Sequence, residues 1–144
     1  LGWSPDGKTM YFIDTPSRAV WAFDYDEKAG EIDLNSRRTV VDFTGFAPEE
    51  GGPDGMTVDA EGKLWVARWG GCRVCRYDEI TGEKLMQVDV PAPCTSCPTF
   101  GGEKLDKLFI TTAGFGKEKF PEAGSLFVAD VGVCGRKANR FGRE

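Results

Sequence analysis

Two groups of residues in this chain have types and spacing suited to chemistry. The first is a single carboxylate, Asp54, in Pro53-Asp54-Gly55. An aspartate can ligate a hard divalent cation through its oxygens, or take a proton from water. Pro-Asp-Gly is also an ordinary turn, so these three residues alone leave a ligand and a structural turn both open. The second group is Cys72-Arg73-Val74-Cys75 with Cys94-Thr95-Ser96-Cys97, two pairs separated by 18 residues. That spacing meets the pattern of a four-thiolate zinc site. The chain has no histidine, which removes a Ser-His-Asp triad, a Cys-His pair and every His-containing zinc motif. Any acid or base is therefore expected to be a carboxylate.

The elements that must position these residues show themselves by repetition. Gly7-Lys8-Thr9-Met10-Tyr11-Phe12-Ile13-Asp14 lies over Gly62-Lys63-Leu64-Trp65-Val66-Ala67-Arg68, a turn followed by an apolar strand. Val20-Trp21-Ala22-Phe23-Asp24 then lies over Val74-Cys75-Arg76-Tyr77-Asp78, and Ala29-Gly30-Glu31 over Thr81-Gly82-Glu83. A looser third copy starts at Leu108-Phe109-Ile110-Thr111-Thr112 and resumes at Ser125-Leu126-Phe127-Val128-Ala129-Asp130. A period of about 45 to 55 residues is the range of propeller blades. Each copy reads as short strands rich in β-branched and aromatic residues, separated by turn signals, and no amphipathic helix is apparent.

The reading is an all-β chain, a β-propeller of about three four-stranded blades, with approximate boundaries at 1–52, 53–97 and 98–144. A β-sandwich would also give regular strands, but not the longer self-similarity. Rings close with about four to eight blades, so three make part of one, here about half of six. Residues 44–52 form a turn-rich connection that delivers the chain to Asp54.

The repeat also bears on the other candidates. It sets Cys72 and Cys75 opposite Arg18 and Trp21, inside what reads as a blade strand. Residues three apart on a strand face opposite ways. The thiols are therefore expected to be packing residues or free surface groups rather than a zinc cluster. Asp6, Asp59 and Glu61 fall in turns and are expected to face solvent. Trp3, Trp21 and Trp65 sit in repeat strands as core residues, whereas Trp69, at a strand end beside Arg68, is placed near the channel mouth.

The formal charge of −5 and the scattered basic residues argue against a nucleic-acid surface. No apolar run approaches the roughly 20 residues of a membrane-crossing helix. Five cysteines, an odd number, and the lack of a leader favour a reducing, cytoplasmic setting. Position 1 lies inside a strand pattern with no initiator Met, which suggests a fragment. Residues 136–144 read as a polar, solvated tail.

With these motifs in hand, the chain resembles the SMP-30/gluconolactonase/luciferin-regenerating enzyme family, in its regucalcin-like branch and over its C-terminal half. The resemblance rests on Leu1-Gly2-Trp3-Ser4, Ala22-Phe23-Asp24-Tyr25-Asp26, Pro53-Asp54-Gly55-Met56, Asp59-Ala60-Glu61-Gly62-Lys63-Leu64-Trp65-Val66-Ala67, Phe100-Gly101-Gly102 and Pro121-Glu122-Ala123-Gly124. It implies a six-bladed ring with one divalent cation near its centre. Calcium is the first choice, with zinc, manganese or magnesium as alternatives, and the substrate class is a sugar lactone. Of the three family metal ligands, only the aspartate has a counterpart here, Asp54. The family's Asn and Glu, and the residues that grip substrate, would lie upstream of Leu1. In such a site a cation polarises the lactone carbonyl or acidifies water while a carboxylate takes the proton, so Asp54 is expected to be both metal ligand and catalytic residue. The alternative is a non-catalytic calcium-binding protein.

Overall fold

Leu64-Trp65-Val66-Ala67 are all buried, although adjacent strand residues point to opposite faces. The strand that carries them must be covered on both sides. The computed structural model describes residues 1–138 and shows how. Strands β1 (Gly2–Trp3), β2 (Thr9–Asp14), β3 (Ala19–Asp26) and β4 (Glu31–Asp42) form one antiparallel sheet. Strands β5 (Gly52–Val58), β6 (Leu64–Trp69), β7 (Arg73–Tyr77) and β8 (Lys84–Asp89) form a second, and β9 (Thr95–Gly101), β10 (Lys107–Thr112) and β11 (Leu126–Asp130) a third. Leu64 and Val66 pack with Tyr11, Val20, Phe43 and Tyr77 between the first and second sheets. Trp65 and Ala67 pack with Val74, Leu108 and Ile110 between the second and third.

The all-β, leaflet-by-leaflet architecture is the one expected. The internal repeat has a backbone counterpart: Arg18 and Cys72, aligned by the repeat, both take left-handed φ, at 50° and 54°, just ahead of β3 and β7. The first strands of successive sheets run side by side. A Cβ on Gly2 would lie 2.7 Å from the Val58 Cγ2, and one on Gly55 would lie 2.8 Å from the Cys97 Cβ. Sheets that meet along their first strands and stack face to face are the leaflets of a propeller, with β1, β5 and β9 on the inner edge.

The third sheet departs from expectation, with three strands rather than four among the described residues. After β11 the chain does not return along that strand but crosses to the other sheets. Cys134 accepts a hydrogen bond from the Ala60 N–H, Gly135 bridges Asp59, and the Gly135 N–H donates to the Leu105 carbonyl at 2.7 Å. Backbone groups used this way are not available to a fourth strand. The Arg136 guanidinium then donates to the carbonyls of Trp3, Ser4 and Pro5 at 3.1 to 3.4 Å, tying the expected tail to the first sheet. The rest of that tail, 139–144, lies outside the described residues.

Among the described residues no helix is long and apolar enough to cross a membrane. Leu126 and Val128 on β11 and Leu34 on β4 leave apolar side chains exposed, a liability at unpaired edges. These 144 residues expressed alone are expected to self-associate in sedimentation. A monodisperse monomer that unfolds cooperatively would contradict this.

Candidate metal and substrate site

β5 pairs with β6 through Gly52↔Trp69 and Pro53↔Arg68, then slips and resumes at Met56↔Val66. Asp54 and Gly55 thus stand together opposite Ala67, a bulge that takes Asp54 out of the ladder and re-aims its side chain. Gly55 is required here, because a Cβ would collide with the Ser96 carbonyl and with Cys97. The bulge therefore brings β9 against β5 at the end where Asp54 sits.

Asp54 is half-buried. Burial alone raises its carboxyl above the ordinary value, with no donor or cation among the described residues to offset it. A desolvated carboxylate without a counter-charge suits a hard cation supplied from outside. It is one ligand only, since no group of three or more His, Cys, Asp or Glu among the described residues is placed to hold a metal. The chemistry of Asp54 fits one oxygen ligand of a divalent cation, and one ligand alone does not make a site. Burial chiefly raises the Cys94 thiol, with added contributions from Cys72 and the Asp54 charge.

The approach to Asp54 is clamped by two arginines that the sequence reading passed over. Arg18 donates to the Phe43 carbonyl from Nε (3.1 Å) and Nη2 (2.9 Å), and to the Phe46 carbonyl at 3.3 Å. Arg68, only 1% exposed, lies over the rings of Phe43 and Phe46 at 4.4 and 4.7 Å. It donates to the Gly51 carbonyl at 2.7 Å and to the Tyr77 hydroxyl at 2.8 Å. Among the described residues its Nε has no partner and no carboxylate pairs with it, so ring faces and a carbonyl take the place of an anion. Gly51 has φ 74°, and a Cβ there would sit 2.5 Å from both the Trp69 oxygen and the Gly71 nitrogen. The 44–52 connection is therefore a fixed lead into the bulge.

The other candidates separate. Cys72 lies in a turn ahead of β7, not on the strand as expected. Cys75 is buried in the core between the first two sheets, Cys94 is buried beside Trp69, and Cys97 and Cys134 are exposed. Asp59 corrects an expectation, because it is fully buried rather than solvent-facing. It accepts from the Trp65 Nε1 at 2.9 Å, the Arg76 Nε at 2.8 Å, and the N–H groups of Glu61 and Lys63, both at 2.9 Å. Glu61 is exposed but pairs with Arg76 at 2.6 Å, and Asp6 faces solvent as expected. A signal for Asp59 was present: a buried Trp and an Arg in a core strand each need an acceptor, and the tight turn before Trp65 offers one. Trp3 and Trp21 are half-buried and Trp65 fully buried. Trp69 stands 38% exposed, edge to face with Phe115 at 6.0 Å.

Comparison with known proteins fits this geometry. Human regucalcin is 43% identical over 141 residues, spanning 94% of this chain and 46% of the human protein. A structure of a calcium-binding regucalcin from Agrobacterium tumefaciens superposes with a TM-score of 0.84 at 34% identity, over 94% of this chain and 46% of its own. A gluconolactonase from Xanthomonas campestris, 33% identical, superposes with a TM-score of 0.61 over 77% of this chain and 33% of its own. The chain spans about half the length (46%) of the two regucalcins it matches. With the SMP-30/Gluconolactonase/LRE-like region matching residues 1–114 as well, the chain belongs to that family.

Proposed function

We propose that the intact protein is a divalent-metal-dependent hydrolase of sugar lactones, with Asp54 as a metal ligand and proton acceptor. The observation that carries this reading is the half-buried Asp54 carboxylate, raised by burial with nothing among the described residues to neutralise it, on a bulge at the inner edge of the leaflets. The Xanthomonas relative, a gluconolactonase, supports the choice of substrate. A divalent cation bound there supplies polarisation of the lactone carbonyl and acidification of water.

The chain's own residues do the rest. In this reading one Asp54 carboxylate oxygen would hold the cation, leaving the other to accept the proton released when water adds to the carbonyl. Gly55 admits β9 so that the carboxylate is desolvated, and Arg18 and Arg68 hold the lead-in segment so that the bulge does not relax. Calcium is the first choice of metal, because an oxygen-only donor set with flexible geometry suits it, and zinc, manganese and magnesium are alternatives. The proposal extends to a small-molecule partner rather than nucleic acid or membrane, and to the cytoplasm, where five free thiols stay reduced.

In the intact protein, a chelator is expected to abolish gluconolactone hydrolysis and added divalent cation to restore it. Hydrolysis indifferent to chelation would discard the metal-dependent reading. A second reading, a calcium-binding protein without catalysis, is favoured by the Agrobacterium relative, which is described as calcium-binding. Calcium binding in calorimetry with no lactone turnover under any divalent metal would select it.

A further inference from the structure

The Asp54 end of the leaflets carries two aromatic side chains that the core does not use. Trp69 ends β6 at 38% exposed, and Phe115, at 65% exposed, lies in the connection between β10 and β11. They meet edge to face, with centroids 6.0 Å apart and planes at 67°. Trp65, four residues earlier, is fully buried with its indole N–H bonded to Asp59, so exposure of Trp69 is not a property of this strand. Exposing two large aromatics side by side forgoes burial that each would otherwise gain.

Backbone contacts join Trp69 to the strand that carries Asp54, and join the Phe115 segment to Trp69 through Cys94. Trp69 pairs with Gly52 on β5, two residues before Asp54, and also bridges Cys94. The Cys94 carbonyl accepts from the Ala113 N–H at 2.9 Å, which fixes the start of the Phe115 segment. The far end of the segment is also held, because the Thr112 hydroxyl accepts from the Gly124 N–H at 3.0 Å and donates to the Ser125 carbonyl at 2.8 Å. Phe120 packs into the core below. Phe115 is therefore held out on an anchored connection.

We infer that Trp69 and Phe115 form a stacking platform for the ring of the sugar lactone, setting substrate affinity beside the carboxylate. This rests on the reading of Asp54 as the centre of lactone hydrolysis. A sugar ring presents C–H groups on its faces and hydroxyls at its rim. The electron-rich face of an indole attracts those C–H groups, while the hydroxyls remain free for polar partners. Stacking acts equally on the bound lactone and on its transition state, so it lowers KM and leaves kcat largely alone.

The test is steady-state hydrolysis of gluconolactone by the intact protein, with gluconate binding followed by tryptophan fluorescence. Trp69→Ala is expected to raise KM by about 10-fold with kcat within about twofold, Trp69→Phe to recover most of that loss, and Phe115→Ala to raise KM by about threefold. Gluconate should quench wild-type fluorescence, and the quench should disappear in Trp69→Phe, which keeps an aromatic ring and the fold. Unchanged KM in Trp69→Ala and Phe115→Ala, or a quench that persists in Trp69→Phe, would overturn the platform. Failure of the two readings is distinguishable. Full activity in Asp54→Ala with raised KM in the Trp69 variant sinks the metal reading alone. A dead Asp54→Ala with unaltered KM in both aromatic variants sinks the platform alone.

Discussion

Replacing Asp54 by alanine in the intact protein is expected to lower kcat/KM for gluconolactone by at least about 10²- to 10³-fold, the scale of removing one preorganised electrostatic group from a reacting centre. Asp54→Asn keeps an oxygen donor but not the charge or the proton-accepting capacity, and should recover little. Calcium affinity by calorimetry should fall in both variants. The companion expectation concerns stability and has the opposite sign. Burial raises the Asp54 carboxyl, so the folded state favours its neutral form over the unfolded chain does. Without metal, the ionised group therefore opposes folding above that raised value, and the opposition fades as pH falls through it. In chelator at neutral pH, Asp54→Asn should melt at or above the wild-type temperature, and the gap should close toward acid. Bound metal should reverse the order, because only the native wild-type site gains from the cation. A variant that melts far below wild type in chelator, with activity lost only in proportion, would identify Asp54 as a structural turn residue.

Asp59 is expected to behave in the contrary way, although it lies only five residues further along. Asp59→Ala leaves the Arg76 guanidinium, whose side chain is 9% exposed, without its buried anion, and the Trp65 indole without its acceptor. Removing one partner of a buried ion pair costs about 3–5 kcal/mol. Two backbone N–H groups of the 59–63 turn lose their acceptor as well. Urea unfolding should show the loss as a lower midpoint at similar slope. Asp59→Asn, which keeps an acceptor oxygen but not the charge, should cost less. Neither variant should change calcium affinity per folded molecule, because Asp59 lies just past the far end of β5 from Asp54. A cost below about 1 kcal/mol, the level of an exposed pair, would show that the network does not hold this leaflet together.

The repeat was legible because strand alternation and tight turns are local. Gly7-Lys8-Thr9 and Gly62-Lys63-Leu64 announce the same hairpin wherever the chain folds, and Arg18 and Cys72 proved to share even the left-handed turn. The third leaflet was legible only in part. The residues after Asp130 could have paired along β11, and what sent them elsewhere was the competing set of partners at Ala60, Asp59 and Leu105. The regularity of the cysteine spacing is only a count along the chain, whereas Cys72 occupies a turn, Cys75 one core and Cys97 the surface.

By itself, the order of residues determined an all-β chain of repeating leaflets, and its resemblance singled out Asp54 among 23 acidic residues. Only the tertiary structure decided what each acid and each arginine does. Asp54 and Asp59 are the same side chain in similar turn-like sequences. One is left without a counter-charge where a bulge and Gly55 bring two inner strands together, and the other is enclosed by Trp65 and Arg76 from strands it meets only after folding. Solvation and charge pairing set the properties of an ionisable group, and both are fixed by neighbours in space rather than in sequence.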